Sequence, residues 1–218
     1  MMTRSIFLFA ISALAGLPDC AFAGQAEAAE ALPRVRLQTS LGNIDLELYP
    51  AYAPITVENF LRLVDDGFYE GLIFHRVIAN FMIQAGGFDS EMNRRDEPGT
   101  IVNESRNGLL NRKKYVAMAR LSDPDSAGTQ FFINVARNES LDGGRATPGY
   151  AVFGKVIGGW NVVTEIELSD TGMKAGMADV PETPIVIKQA TRLDPIGSTS
   201  EAEPPTQRKP AGFAASTD

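Results

Sequence analysis

The chain has 218 residues, 44% of them hydrophobic and 22% charged, an ordinary globular composition long enough for one sizeable core. A formal net charge of -7 argues against a nucleic-acid binder, which needs clustered Lys and Arg. The one basic cluster, Arg112-Lys113-Lys114, is short and reads as a solvated loop.

The N-terminus reads as a secretory signal peptide over residues 1–23. Arg4 supplies the positive charge, Ser5 to Leu17 is an apolar segment of signal length, and Ala21-Phe22-Ala23 is a small-x-small cleavage site. An uncleaved membrane anchor is the other reading of this segment. Cys20 is the single cysteine and lies within it, so the mature chain is expected to lack thiols and disulfides, which suits an oxidising compartment. No later apolar run approaches transmembrane length, so no membrane insertion of the mature chain is expected. The expected location is outside the cytoplasm, the periplasm if the source is a Gram-negative bacterium.

Residues 24–32 are an Ala/Glu-rich leader, read as mobile, and the folded domain is expected over 33–193. Arg34 to Thr39 and Ile44 to Leu48 alternate polar and apolar residues around a Ser40-Leu41-Gly42-Asn43 turn, the pattern of a half-buried hairpin. Pro54 to Asp66 switches to helical spacing, with Val57, Phe60, Leu61 and Val64 on one face and Gly67 at the C-terminal stop. Strands are expected at Leu72–Ile78, Phe81–Gln84, Tyr115–Arg120, Gln130–Val135, Ala151–Ile157 and Ile185–Leu193, with a second helix over Asn161–Leu168. The long polar connection from Asp89 to Asn111 has no clear period, as in functional or mobile loops. Residues 194–218, rich in Pro, Ser, Thr and Ala, read as a disordered tail. Many short strands, two helices and one core point to a mainly β fold, an antiparallel barrel whose closure would remove exposed edges.

The residue inventory narrows the chemistry. His75 is the only histidine and the mature chain is expected to have no cysteine, so a Cys/His pair is excluded and a Ser/His/Asp triad would have to use His75. Zinc-type ligand sets, nucleophile elbows and phosphate-binding glycine loops are absent from the sequence. No covalent catalysis, metal or cofactor is expected. Strand alternation puts Phe74, Arg76 and Ile78 on one face, Met82 and Gln84 on one face, and Gln130 and Phe132 on one face. If these faces coincide outside the barrel, they form a shallow apolar pocket with a few polar groups, the composition of a ligand site. His75 reads as a structural residue satisfied by a hydrogen bond. Phe74, Phe131 and Ile83 read as core, and Trp160 as packing at the start of the second helix.

The segment FHRVIANFMIQAGGF, followed in order by VAMAR, GTQFFINVA and YAVFGKV, resembles the cyclophilin-type peptidyl-prolyl cis-trans isomerases, most closely their exported bacterial branch. The resemblance runs from about Arg34 to Leu193. It implies a closed eight-stranded antiparallel barrel capped by two α-helices, and an enzyme that accelerates rotation about X-Pro bonds in exported polypeptides, assisting their folding without a cofactor. A proline-peptide-binding module or chaperone with little turnover is the alternative. Residue by residue, Arg76 matches the family's catalytic arginine, and Phe81, Met82 and Gln84 match positions that line the proline pocket and brace the arginine. Ala119 and Arg120 border the groove, although the family often has Asn where this chain has Arg120. Gln130 and Phe132 match the groove glutamine and the pocket floor, and Leu141 the pocket leucine. Two positions depart: Ser140 stands where many eukaryotic members carry Trp, and Tyr150 replaces a common histidine. The Trp contributes to cyclosporin binding in the family, so weak cyclosporin binding is expected. The expected partners are proline-containing polypeptides, and the protein is expected to be a monomer.

Overall fold

A computed structural model describes residues 31–144 and 146–194. The signal peptide, and all but the ends of the leader and tail, lie outside the described residues.

The expected hairpin opens the domain. In β1 (Arg34–Thr39) and β2 (Asn43–Leu48), alternation sends Val35, Leu37, Ile44, Leu46 and Leu48 into the core. On the outer face Arg36 sits directly opposite Asp45 and donates two hydrogen bonds to its carboxylate, at 2.7 and 2.8 Å.

Helix α1 (Pro54–Asp65) begins after Ala53, which offers no capping side chain. Glu104, from the long polar connection, does that work. Its carboxylate accepts from the Ile55 and Thr56 N–H groups and from the Thr56 hydroxyl, at 3.1, 2.8 and 2.6 Å. An anion there satisfies orphan donors and complements the helix dipole. At the other end Gly67, at φ 67°, closes a Schellman motif: its N–H donates to the Val64 carbonyl and the Phe68 N–H to the Leu63 carbonyl.

The remaining elements are β3 (Leu72–Ile78), β4 (Met82–Asp89), β5 (Tyr115–Met118), β6 (Phe131–Asn134), β7 (Val152–Gly158), α2 (Trp160–Glu167), β8 (Thr171–Lys174), β9 (Met177–Pro181) and β10 (Ile187–Leu193). Eight strands form one sheet in the order β10-β1-β2-β7-β5-β6-β4-β3, antiparallel throughout. Inside it Phe60 of α1 packs against Tyr69, Phe131 and Phe153, with ring centroids 5.3, 5.5 and 5.1 Å away, all fully buried. Trp160 packs on this core as expected, with the Lys113 and Lys114 ammonium groups each 5.4 Å from its ring centroid.

Three expectations change. The barrel is curled but not laddered shut. Its edge strands β3 and β10 meet through an isolated bridge between Ile73 and Val186 and two flanking bonds, from the Gly71 N–H to Ile187 and from the Phe74 N–H to Ile185. Second, β8 and β9 form an additional hairpin at this seam, where Val180 packs with Ile73 and Met92. β8 buries no residue and β9 buries only the adjacent Val180 and Pro181, so no period-2 hydrophobic signal marks them. Third, Phe74 is core, as expected, but does not share the face of Arg76 that alternation gave it. The ladder between β3 and β4 slips between Phe74 and Arg76, and the irregularity turns Phe74 into the main core.

Candidate active site

Neighbouring strands place one residue each in a single row on the outer face of the sheet. Arg76 on β3 lies opposite Gln84 on β4, Gln84 opposite Phe132 on β6, Phe132 opposite Ala117 on β5, and Ala117 opposite Val152 on β7. This row joins a guanidinium and an amide to an apolar floor.

The floor is a second hydrophobic cluster, separate from the main core. Met82, Ala117, Phe132 and Val152 form its buried part, and Ile78, Phe81, Ala119, Leu141 and Tyr150 are among the partly buried residues around it. Tyr150 meets Phe132 edge-on at 5.6 Å between centroids. Arg120 stacks its guanidinium 4.7 Å from the Tyr150 ring centroid and donates to the Pro148 and Gly149 carbonyls at 2.7 and 3.1 Å. So Phe81, Met82, Ala119, Phe132, Leu141 and Tyr150 come together, and Arg120 clamps the loop carrying Tyr150.

Gln84 and Gln130 sit beside this cluster. The Gln84 amide nitrogen donates to the Gln130 side-chain oxygen at 2.9 Å, a different partner from the arginine expected for it. The paired glycines of the QAGGF segment make room. A Cβ on Gly86 would stand 2.7 Å from the Thr129 carbonyl oxygen, in a backbone at φ 92°, and one on Gly87 would stand 2.7 Å from the Gln130 side chain. A cavity of about 290 Å³ adjoins these glutamines, lined by Arg94 and Glu97 as well as Ala119, Arg120, Gln84 and Gln130. Arg94 and Glu97 come from the long polar connection and pair at 2.8 Å. Among the described residues no three His, Cys, Asp or Glu side chains gather as a metal could require.

Arg76 is half exposed, and its ion-pair partner is Asp179 on β9, 3.8 Å from Nε. Sequence reasoning missed Asp179 because its hairpin carries no periodic signal. It also missed a chain of buried amides behind the pocket. Asn138 donates to the Phe81 carbonyl at 2.8 Å and to the Asn134 side-chain oxygen at 2.6 Å. Asn134 donates to the Asn111 oxygen at 3.2 Å and to the Tyr115 carbonyl at 3.1 Å. Asn111 donates to the Leu141 and Tyr150 carbonyls at 3.1 and 3.4 Å. Three of the pocket's walls are thus held from behind by asparagines. The Asn in FFIN was a visible signal: an amide in a four-residue strand whose residues are all buried needs partners.

His75 keeps its expected structural place, with one ring nitrogen left unpaired. It is buried against Phe88, 4.8 Å between ring centroids, and its Nδ1 has no hydrogen-bond partner. Burial pushes its pKa down from 6.5 to about 4, against weaker upward pulls from the Ile73 backbone and Gln130. The unfolded chain takes up this proton near pH 6.5 and the folded chain only near pH 4, so stability falls as pH falls through that window. Acidification to pH 4 should cost roughly 3 kcal/mol through His75 alone. Urea titrations of wild type and His75→Gln at pH 7 and pH 4.5 check this; equal pH sensitivity of the two proteins would refute it.

Comparison with known proteins gives consistent answers. The family described as "Cyclophilin type peptidyl-prolyl cis-trans isomerase/CLD" matches residues 34–192. The chain is 52% identical over 162 residues to a peptidyl-prolyl cis-trans isomerase of Streptomyces antibioticus, covering 73% of this chain and 98% of that one. It is 50% identical over 153 residues to one of Acinetobacter baylyi, covering 70% and 81%. Among solved structures it is similar to a Cryptosporidium parvum cyclophilin-type isomerase crystallised in the presence of the dipeptide Ala-Pro, with a TM-score of 0.60, 28% identity, and coverage of 74% and 99%.

Proposed function

The chain belongs to the cyclophilin-type peptidyl-prolyl cis-trans isomerase family and is a peptidyl-prolyl cis-trans isomerase; we propose that its substrates are exported polypeptides, that it works as a monomer, and that Arg76 is the catalytic donor. The observation that carries the residue assignment is the row Arg76–Gln84–Phe132, which sets a cation beside an apolar floor.

Rotation about an X-Pro bond must break amide resonance, against a barrier of about 18–20 kcal/mol, and uncatalysed exchange takes tens to hundreds of seconds. No proton need be transferred, so the site works without a titrating base. Phe81, Met82, Phe132 and Leu141 grip the proline ring, and Tyr150 closes one side. Arg76 donates towards the proline carbonyl and the imide nitrogen. That nitrogen becomes pyramidal and gains a lone pair only in the twisted state. A donor aimed there stabilises the transition state more than either ground state. Gln84 and Gln130, already bonded to each other, line the groove for the substrate backbone together with Ala119.

The signal-like N-terminus of Arg4, Ser5–Leu17 and Ala21-Phe22-Ala23 supports export. The test is expression of the full chain in a Gram-negative host, with the periplasmic protein assayed by protease-coupled isomerisation of a proline tetrapeptide. A periplasmic product starting near Gly24, eluting as a monomer and accelerating exchange, is the expected result. Retention of an uncleaved chain would refute export, and binding without turnover would favour the chaperone reading. Because Ser140 offers no indole face or N–H, cyclosporin should inhibit this protein only weakly; nanomolar inhibition in the same assay would contradict that.

A further inference from the structure

The β8–β9 hairpin is a built arm. Its two-residue turn, Ala175 at φ 49° and Gly176 at φ 81°, has the paired positive φ of a type I′ hairpin. Val180 anchors it, 1% exposed, against Ile73 of β3, also 1% exposed, and the Lys174 ammonium donates to the Ser90 carbonyl at 3.0 Å. The residue before the anchor is Asp179, whose backbone is left-handed at φ 62°. Asp accepts that conformation better than most residues, but not freely. The arm brings the Asp179 carboxylate to 3.8 Å from Nε of Arg76, the only anionic partner of that guanidinium among the described residues.

We propose that Asp179 is a positioning residue, whose carboxylate holds the Arg76 head group at the row formed with Gln84 and Phe132. The proposal rests on the reading of Arg76 as the catalytic donor. A long, half-exposed arginine samples many rotamers, whereas catalysis by a donor depends on its being aimed before the reaction. Contact at Nε restrains the head group and leaves the two terminal nitrogens without an anionic partner, available to a bound proline. An anion so close also damps the positive charge, and that opposite effect has the opposite sign in the experiment.

The experiment measures kcat and KM of the full-length mature protein for a blocked, uncharged proline tetrapeptide, in wild type, D179N, R76A and the double variant. Asn accepts the same left-handed backbone, so D179N should melt with wild type. Its kcat should fall roughly three- to fivefold with KM unchanged, the size that an exposed charge pair allows. In the R76A background, D179N should have no further effect. Wild-type or raised kcat in D179N, a change confined to KM, or the same loss with Arg76 already removed would each overturn the proposal. Wild-type turnover in R76A would instead overturn the reading of Arg76 on which it rests.

Discussion

Arg76→Ala should lower kcat/KM for X-Pro isomerisation by about 10²–10³, the typical cost of removing a preorganised donor from a developing charge. Most of the loss should fall on kcat, because the interaction strengthens only when the imide nitrogen pyramidalises. The grip on the proline ring comes from Phe81, Met82, Phe132 and Leu141, which the substitution leaves in place. Folding should be nearly untouched: the Arg76 side chain is 40% exposed, and its pair with Asp179 is a surface pair at 3.8 Å. Lys at this position keeps the charge but loses the planar fork, so Arg76→Lys should recover only part of the rate. Initial rates from a protease-coupled assay in the cold, alongside thermal melts, decide the matter. Wild-type turnover in the Ala variant would remove Arg76 from the mechanism.

Asn134→Ala should give the largest stability loss of any single polar substitution near the site, roughly 3 kcal/mol, because buried groups left unpaired cost about 1–3 kcal/mol each. Asn134 is fully buried. Its removal strands one Asn138 donor bond made at 2.6 Å, the Asn111 oxygen and the Tyr115 carbonyl. The effect should reach the pocket, since Asn138 also holds the Phe81 carbonyl and Asn111 those of Leu141 and Tyr150. With these walls loosened, KM for proline peptides should rise while kcat changes less. Urea titration reads the stability, and the KM–kcat split reads the pocket. A variant as stable as wild type would show that the amide chain does not hold these walls.

Much of the fold is legible in the sequence because its signals are local. Leu72–Ile78 is a strand over the full expected range, and the two helices match within a residue at each end. The apolar stripe of α1 and its glycine stop need only neighbours along the chain. The β8–β9 hairpin was not legible, since its only fully buried residues, Val180 and Pro181, are neighbours and leave no alternation to find. Phe74 illustrates the complementary failure. Strict alternation assigns it to the face of Arg76, but the β3–β4 irregularity breaks the alternation, and that slip depends on how β4 pairs, not on the β3 residues alone.

By itself, then, the sequence determined the mainly β class, the order of all but two strands and, through its motifs, the isomerase family. Tertiary structure alone decided three things. The seam between β3 and β10 stays almost unladdered, Gln84 bonds Gln130, and Arg76 finds its anion on a hairpin more than a hundred residues away in the chain. The division has a physical cause. Burial patterns and turn signals are set by neighbouring residues, whereas the partner of a guanidinium or a buried amide is set by which distant strands the fold brings alongside it.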